Sequence, residues 1–259
     1  MTSVTTTSGL HHVEHVMGMA VSIDVRDHVA PEAIDEVVAW LHHVDATFST
    51  YRSDSPISRL GSGQLTLDDM SEEICDVLLL CEALHDDTGG AFDALAVPAP
   101  NGSLLDPSGV VKGWSIERAA ELLVARGARN LCINAGGDVA VRGRPQADQP
   151  WRIGVRHPEH ADRTAAVLRA SGRLGVATSA TYERGAHIID PSTGEATAAV
   201  ASVTVVGPDL TFADAYATAV FVMGIDGLVW LHTTHPDYGG FVITHDGQAV
   251  STPEFDRHR

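Results

Sequence analysis

An acid and a hydroxyl lie four residues apart in segment 213–219, Ala-Asp-Ala-Tyr-Ala-Thr-Ala, whose composition predicts a helix. Side chains at positions i and i+4 of a helix share a face, with Cβ atoms about 5–6 Å apart, so Asp214 and Thr218 can approach a common point. Two hard oxygens suit Mg²⁺, which takes about six oxygen ligands. From this heptapeptide alone a structural interpretation is favoured, since an Asp in the first turn complements the helix macrodipole and a Thr can simply pack.

A second segment could hold an anionic ligand. Residues 106–113, Asp-Pro-Ser-Gly-Val-Val-Lys-Gly, lead into a predicted helix that Gly127 closes. Phosphate groups bind at helix N-termini, and Lys112 supplies a local cation. The eight-residue Walker spacing is missing, so the segment is not a P-loop.

Two loops are open to both structural and ligand-binding interpretations. Gly89-Gly90, before Phe92 and Asp93, can simply end a helix, but it also allows the backbone to approach a ligand closely. Tyr51 lies in the turn-rich segment 48–56, which is either an ordinary surface loop or a loop that offers an aromatic stacking face.

Two further segments have simple structural explanations. Segment 134–138, Asn-Ala-Gly-Gly-Asp, follows a predicted strand and is explained by a hairpin turn, because the G-x-G-x-x-G dinucleotide fingerprint is absent. His187 lies between small and apolar residues in the polar segment 178–194, and taken alone it is a histidine at the edge of the core beside an Asp-Pro turn.

The predicted elements mix strands and helices without regular βαβ order, which favours an α+β fold. The predicted helices cover 31–46, about 71–85, about 114–126, 211–223 and 228–232. The predicted strands cover 17–25, 131–134 with a return strand through 141, 151–155, 165–169, 173–177 and 201–206. The strands at 165–169 and 173–177 are joined across Ser171-Gly172, and a hairpin is predicted around Asp246-Gly247. With no repeat or linker, we expect a flexible leader at 1–12, a single domain at 13–254 and a frayed tail at 255–259.

Composition excludes several functions. The chain has 259 residues with 17 Lys and Arg against 34 Asp and Glu, a formal charge of −17, which argues against a nucleic-acid-binding surface. Three cysteines, Cys75, Cys81 and Cys132, are too few and too irregular for a disulfide framework or a zinc site. No signal peptide, lipoprotein leader or membrane-spanning segment is visible, so we expect a cytoplasmic protein without membrane insertion.

Seven segments in order resemble the ApbE family of FAD:protein FMN transferases, which are Mg²⁺-dependent and have an α+β, T-fold-like architecture with mixed or antiparallel sheets and packed helices. The segments span nearly the whole chain. They are Met17-Gly18, Ser49-Thr50-Tyr51 with Asp54-Ser55, Gly89 to Asp93, Asp106 to Gly113, Asn134 to Asp138, Thr178-Ser179 with His187 to Gly194, and Ala213 to Thr218.

The resemblance implies roles for particular residues. FAD, the substrate, would contact Met17, Tyr51, Ala91, Phe92, Asp93, Asp106, Lys112 and Ile189. Mg²⁺ would be held by Asp214, Thr218 and the carbonyl oxygen of Gly109, and His187 would act as the base. Family members move FMN from FAD to a Thr or Ser of a partner protein and release AMP, and some hydrolyse FAD to FMN and AMP instead. A flavin-binding protein without catalysis is a further alternative.

The chain departs from the family pattern at several points. Met19 stands where Thr is usual after Met-Gly, and Pro107-Ser108 stand where Leu-Gly is common. The stretch between Asp93 and Asp106 is shorter than in many members. Because such insertions could shape the adenine pocket or the partner groove, the resemblance supports FAD binding more directly than transferase specificity.

Overall fold

The computed structural model describes residues 9–96, 99, 102–180, 189–197 and 199–259. Within these residues the helices are α1 (Glu32–Phe48), α2 (Pro56–Gly61), α3 (Glu72–Asp87), α4 (Ser108–Ala125), α5 (Leu210–Met223), α6 (Asp226–Thr234) and α7 (Pro253–Asp256), with a 3-10 turn at Leu67–Asp69. The strands are β1 (Leu10–Val16), β2 (Met19–Val25), β3 (Leu131–Ala135), β4 (Asp138–Arg142), β5 (Trp151–Arg156), β6 (Thr164–Ala170), β7 (Leu174–Ala180), β8 (Ile189–Asp190), β9 (Glu195–Ala196), β10 (Ser202–Gly207), β11 (Gly239–Ile243) and β12 (Ala249–Ser251).

One large sheet organises the fold. Its strand order is β1-β2-β3-β4-β7-β10-β11-β12, and its neighbouring strands pair antiparallel. Two smaller antiparallel pairs, β5-β6 and β8-β9, lie outside it. Helices and antiparallel strands form separate layers, so the predicted α+β class is confirmed.

The sheet buries apolar side chains on both faces. On one face, residues of β2, β3 and β10 pack against α1, α3, α4 and α5. On the other face, residues of β4, β7 and β11 pack against the β5-β6 hairpin and α7. The alternation along β4 explains this division, because Ala140 belongs to the helical core while Val139 and Val141 belong to the second core.

Helix caps and apolar periodicity explain why several helices form where predicted. Ser71 caps α3 by accepting a hydrogen bond from the N–H of Ile74, and Asp209 caps α5 by accepting from Thr211. In α1, Ile34, Val37 and Leu41 recur on the buried face. The predicted helices at 31–46, 71–85 and 211–223 are confirmed within one or two residues at each end.

Two predictions at the periphery differ from the structure, those for 1–12 and 255–259, whereas the strand junction at 171–172 lies where it was predicted. The leader assigned to 1–12 already contains the start of β1 at Leu10, an edge strand whose register with β2 pairs Val16 with Met19. Strands β6 and β7 follow each other across Ser171-Gly172, but β6 pairs with β5 and β7 with β4 and β10. Phe255, assigned to a frayed tail, is fully buried and stacks on Phe241.

Helices α4 and α5 cross in close contact because Gly113 carries no side chain. A Cβ at Gly113 would lie 2.6 Å from the Leu210 carbonyl oxygen and 2.7 Å from the Asp214 Cβ. Such distances lie well inside van der Waals contact, so only glycine fits there without displacement. The crossing therefore brings the N-terminal half of α4 directly against the first turns of α5.

A buried glutamate ties the same two helices to the sheet. Glu117 of α4 pairs with Arg142 of β4, lies 2.7 Å from Arg173 Nη2, and accepts a 3.1 Å hydrogen bond from the Leu210 N–H at the start of α5. Burial raises the pKa of the Glu117 carboxyl, and the Arg142 guanidinium opposes that rise. Each oxygen of this carboxylate thus has a partner, as a buried charge requires.

No helix in the described part of the chain is long and apolar enough to cross a membrane.

Candidate functional site

Three charged side chains from three elements converge where α4, α5 and β4 meet. Lys112 Nζ lies 2.7 Å from Asp138 Oδ2 and 3.5 Å from Asp214 Oδ1. Asp138 and Asp214 are 1% and 3% exposed, whereas the Lys112 side chain keeps 23% of its surface. The arrangement is a buried pair of carboxylates with a partly exposed ammonium between them.

The Asp214 carboxylate is oriented by the backbone of α4. Its Oδ2 accepts a 2.9 Å hydrogen bond from the Gly113 N–H, across the close helix crossing. Thr218 follows one turn later on α5, and its hydroxyl lies 3.4 Å from that of Ser179 on β7. Both residues lie within α5, where the four-residue spacing predicts that Asp214 and Thr218 share a face.

Gly109 and Phe92 come together at the start of α4. A Cβ at Gly109 would lie 3.1 Å from Phe92 Cε2, so the helix backbone passes directly over the edge of the buried ring. The Phe92 N–H donates to the Thr88 hydroxyl, which donates in turn to the Leu84 carbonyl at the end of α3. This fixes the Gly89-to-Asp93 loop against the N-terminus of α4.

The acids of this region shape the local backbone. Asp93 accepts a hydrogen bond from the Leu95 N–H at 2.7 Å, and Asp106 accepts one from the Ser108 N–H at 3.0 Å, at the first residue of α4. The Asp106 N–H donates to the Ala94 carbonyl. Both predicted flavin-contacting acids thus lie on adjoining turns beside Phe92.

Met17 reaches the same region from the β1-β2 hairpin. Met17 and Gly18 form its two-residue turn with φ values of 54° and 72°. The Ser115 hydroxyl donates to the Lys112 carbonyl and lies 4.0 Å from the Met17 sulfur. This hairpin turn therefore packs against the first turns of α4.

Other predicted site residues lie apart from this cluster or outside the described chain. Tyr51 is 73% exposed, and Ile189 is half-buried in the short β8-β9 hairpin. Between described residues, no hydrogen bond or ion pair joins Tyr51 or Ile189 to Lys112. His187 falls in 181–188, outside the described residues, so its predicted role stays a prediction.

A cluster of rings ties the end of α3 to α5. His235 Nε2 lies 2.9 Å from Asp87 Oδ2 at the last residue of α3, and His235 Nδ1 lies 3.3 Å from the Tyr216 hydroxyl. The rings of Tyr216 and His235 stack with centroids 4.4 Å apart. Burial raises the pKa of Tyr216, and the nearby Asp87 charge adds to the rise. The loop that follows α3 is thereby held to the helix that carries Asp214.

Asp138 is a residue of the site to which the sequence analysis gave no role of its own, since a hairpin turn explained its segment. Gly136 and Gly137 do form that turn, with φ values of 61° and 111°, and the Gly137 N–H donates to the Asn134 side chain. Yet Asp138 is a fully buried acid at the start of β4. The sequence feature that could have indicated this burial is an acid directly after a Gly-Gly turn, at the start of a predicted strand.

The residues around Asp214 could bind a hard cation only through several kinds of oxygen: carboxylate, hydroxyl and backbone carbonyl. Within the described ranges, no group of three or more His, Cys, Asp or Glu side chains could hold a metal ion. Asp214 supplies one buried carboxylate, and Thr218 supplies a hydroxyl one turn away. Carboxylate, hydroxyl and carbonyl oxygens together suit Mg²⁺, which commonly completes its shell with water or phosphate oxygens.

Two of the three cysteines are disfavoured as reactive thiolates. Burial, together with the nearby charges of Asp106 and Asp93, raises the pKa of Cys81 to about 12. Burial likewise raises the pKa of Cys132 to about 12. The reactive thiolate of both residues is therefore scarce at pH 8.

We expect DTNB at pH 8 to label one thiol per native chain rapidly, that of the half-buried Cys75, and all three after unfolding in guanidinium. The variant Cys75→Ser is the matched control and should lose the rapid phase. Rapid labelling that persists in Cys75→Ser would contradict the assignment of Cys81 and Cys132 as thiols of raised pKa.

Sequence comparison relates the chain to one family. The model of the ApbE family matches residues 17–101 and 96–241. These two matches include the β1-β2 turn, the Gly89-to-Asp93 loop, and the elements that carry Lys112, Asp138 and Asp214.

Curated relatives share this similarity at moderate identity. A FAD:protein FMN transferase of Rhodobacter capsulatus is 29% identical over 227 residues, which cover 84% of this chain and 39% of the relative. One from Haemophilus influenzae is 26% identical over 74% of this chain and 72% of the relative. One from Vibrio cholerae is 33% identical over 46% of this chain. The chain thus spans about two fifths of the length of the first and third of these relatives.

Solved structures share the fold. The flavin transferase ApbE from Vibrio cholerae superposes with a TM-score of 0.84 at 23% identity, covering 97% of this chain and 99% of that one. An ApbE protein from Thermotoga maritima gives a TM-score of 0.86 at 22% identity, over 97% and 99% of the two chains. The described architecture is therefore shared from end to end with these proteins.

Proposed function

The chain belongs to the ApbE family, and from that premise we propose that it transfers FMN from FAD to a Thr or Ser hydroxyl of a partner protein and releases AMP. The relatives named FAD:protein FMN transferase support this reaction. The observation that carries the proposal is the convergence of Lys112, Asp138 and Asp214 beside the N-terminus of α4. In a chain of formal charge −17, this is a local arrangement suited to a pyrophosphate and a cation.

The flavin-binding part of the proposal rests on residues gathered around the first turns of α4. Phe92, Asp93 and Asp106 adjoin the start of α4, and Met17 packs near Ser115 on the same helix. Tyr51 and Ile189 complete the proposed set from exposed or half-buried positions, and Ala91 precedes the buried Phe92. The exposed face of Tyr51 is suited to stacking on a planar ring.

Asp214, Thr218 and the Gly109 carbonyl are the proposed Mg²⁺ ligands. When bound, the ion would neutralise pyrophosphate charge and stabilise the charge that develops during phosphoryl transfer. The Gly113 N–H fixes the carboxylate of Asp214 so that one oxygen is directed by the backbone. Lys112 adds a second positive charge next to the same carboxylate.

The proposed transfer balances as a displacement at the FMN phosphorus. The acceptor hydroxyl oxygen forms a bond to that phosphorus, and the bond from the phosphorus to the bridging oxygen breaks, so AMP leaves with the bridging oxygen. His187 takes the hydroxyl proton; its unperturbed pKa of about 6.5 suits a general base near neutral pH. Positioning and electrostatics supply most of the catalysis in such reactions.

Mass spectrometry of candidate acceptors incubated with the protein, FAD and Mg²⁺ tests the proposal. We expect an adduct with the mass of FMN on a Thr or Ser, with one AMP released per adduct. Steady release of AMP and FMN without an adduct would replace the transferase with a Mg²⁺-dependent FAD pyrophosphatase. FAD that co-purifies and stays intact with Mg²⁺ present would identify a non-catalytic flavin-binding protein.

A further inference from the structure

Asp138 is held in one orientation by the sheet. Its Oδ1 accepts a 3.1 Å hydrogen bond from the Thr178 N–H on the neighbouring strand β7. Thr178 is itself fixed, since its hydroxyl lies 3.0 Å from that of Thr204 on β10. Only Oδ2 of Asp138 is left to face Lys112, and it does so from a side chain that is 2% exposed.

The Lys112 ammonium lies closer to one of the two acids than to the other. Its ammonium is in contact with Asp138 Oδ2 at 2.7 Å, but it lies 3.5 Å from Asp214 Oδ1, which is longer than a hydrogen bond. Asp214 is meanwhile fixed by the Gly113 N–H through its other oxygen. The short ion pair of Lys112 is therefore made with Asp138 and not with Asp214.

This division matters for any cation that approaches Asp214. A lysine in direct contact with a carboxylate oxygen competes with a metal ion for that oxygen, and Coulomb repulsion between two cations is strong in a buried setting. A lysine drawn to one side can still act on a nearby phosphate while the carboxylate binds the metal. The position of the ammonium is then determined by the second acid, on the side of the lysine away from the metal.

We propose that Asp138 is a positioning residue that holds the Lys112 ammonium off the Asp214 carboxylate, so that Asp214 can bind a divalent cation. This inference rests on the proposed function, because it concerns the same metal and pyrophosphate site. Asp138 acts through Lys112 and is not itself assigned as a metal ligand. Without the charge at Asp138, the ammonium relaxes towards Asp214, the second acid within ion-pair distance of Lys112 in the described part of the chain.

The variant Asp138→Asn removes the charge and keeps an oxygen that can accept from the Thr178 N–H. We expect its affinity for Mn²⁺, measured on the purified full chain by the loss of the free-ion EPR signal, to fall by at least about tenfold. Adding Lys112→Met to Asp138→Asn should restore Mn²⁺ affinity to within about threefold of Lys112→Met alone, because the competing ammonium is gone.

Two controls separate positioning from other roles. Asp226→Asn removes an exposed acid on α6 and should leave Mn²⁺ binding unchanged. Circular dichroism melting should show that Asp138→Asn is folded. If Asp138→Asn is not folded, the Lys112→Met variant alone tests the proposal, because the proposal requires that the Mn²⁺ affinity of Lys112→Met equal or exceed that of the wild type.

Several outcomes would overturn the inference. Wild-type Mn²⁺ affinity in Asp138→Asn would show that the acid does not control Lys112. A loss that Lys112→Met fails to restore would make Asp138 a direct ligand or a purely structural residue. Either result leaves the proposed function standing if the wild type binds Mn²⁺ and turns over FAD. A wild type with neither metal binding nor metal-dependent turnover would instead remove the proposed function, and this inference with it.

Discussion

Replacing Asp214 with Asn is expected to lower metal-dependent FAD turnover by about a thousandfold while most of the affinity for FAD is kept. Asn retains an oxygen that can accept the hydrogen bond from the Gly113 N–H, so the α4–α5 contact survives. What is lost is the charge of a carboxylate that is 3% exposed and is the central proposed ligand of Mg²⁺. The substitution therefore tests the loss of the negative charge while the shape of the side chain is nearly unchanged.

The measurement is AMP release followed by chromatography over a Mg²⁺ series, with FAD affinity taken from the quenching of flavin fluorescence. Asp226→Asn is the matched control, since it removes the same charge from an exposed site on α6. It should behave as the wild type in both assays. Turnover within about threefold of the wild type in Asp214→Asn would remove Asp214 from the proposed metal site.

Replacing Gly113 with Ala should destabilise the fold by about 1–3 kcal/mol, because the new methyl group would overlap the Leu210 carbonyl and the Asp214 Cβ. Contacts of 2.6 and 2.7 Å with backbone and with a short side chain leave no flexible group to move aside. The helices must separate, which also pulls Asp214 from the Gly113 N–H. We expect the melting temperature to fall by about 2–12 °C and FAD turnover to fall with it.

Thermal melting by circular dichroism, alongside the turnover assay, checks this expectation. Gly154→Ala on β5 is the control, since a Cβ there would lie 3.5 Å from the nearest atom, at ordinary contact distance. It should shift the melting temperature by little. An unchanged melting temperature in Gly113→Ala would show that the α4–α5 crossing tolerates a side chain.

Much of the helical framework follows from local sequence. Ser71 and Asp209 cap their helices as their residue types favour, and the apolar periodicity of α1 predicts its buried face. Strand β1 was missed because its residue types do not alternate with burial: Val13 is exposed, whereas His12 and Glu14 are half-buried. The pairing of β7 with β4 and β10 depends on partners far along the chain, which local patterns do not encode.

The candidate site was predictable in its parts and not in its assembly. The spacing of Asp214 and Thr218 follows from helix geometry, and Lys112 is notable as a cation in an acidic chain. Asp138 was explained as the end of a hairpin turn, and nothing within its own segment shows that it meets Lys112. Only the packing of β4 beside α4 gives that acid a charged partner.

The hydrogen bond between the Gly113 N–H and Asp214 closes a loop of 101 positions along the chain. The neighbouring bond from Leu210 to Glu117 closes one of 93. Contacts of such separation slow folding, because the entropy of closing the loop must be met before they contribute stability. During synthesis, the site therefore cannot assemble before α5 has left the ribosome. In the mature protein, exchange of the Gly113 amide hydrogen should report on the opening of the whole α4–α5 unit rather than on local fraying.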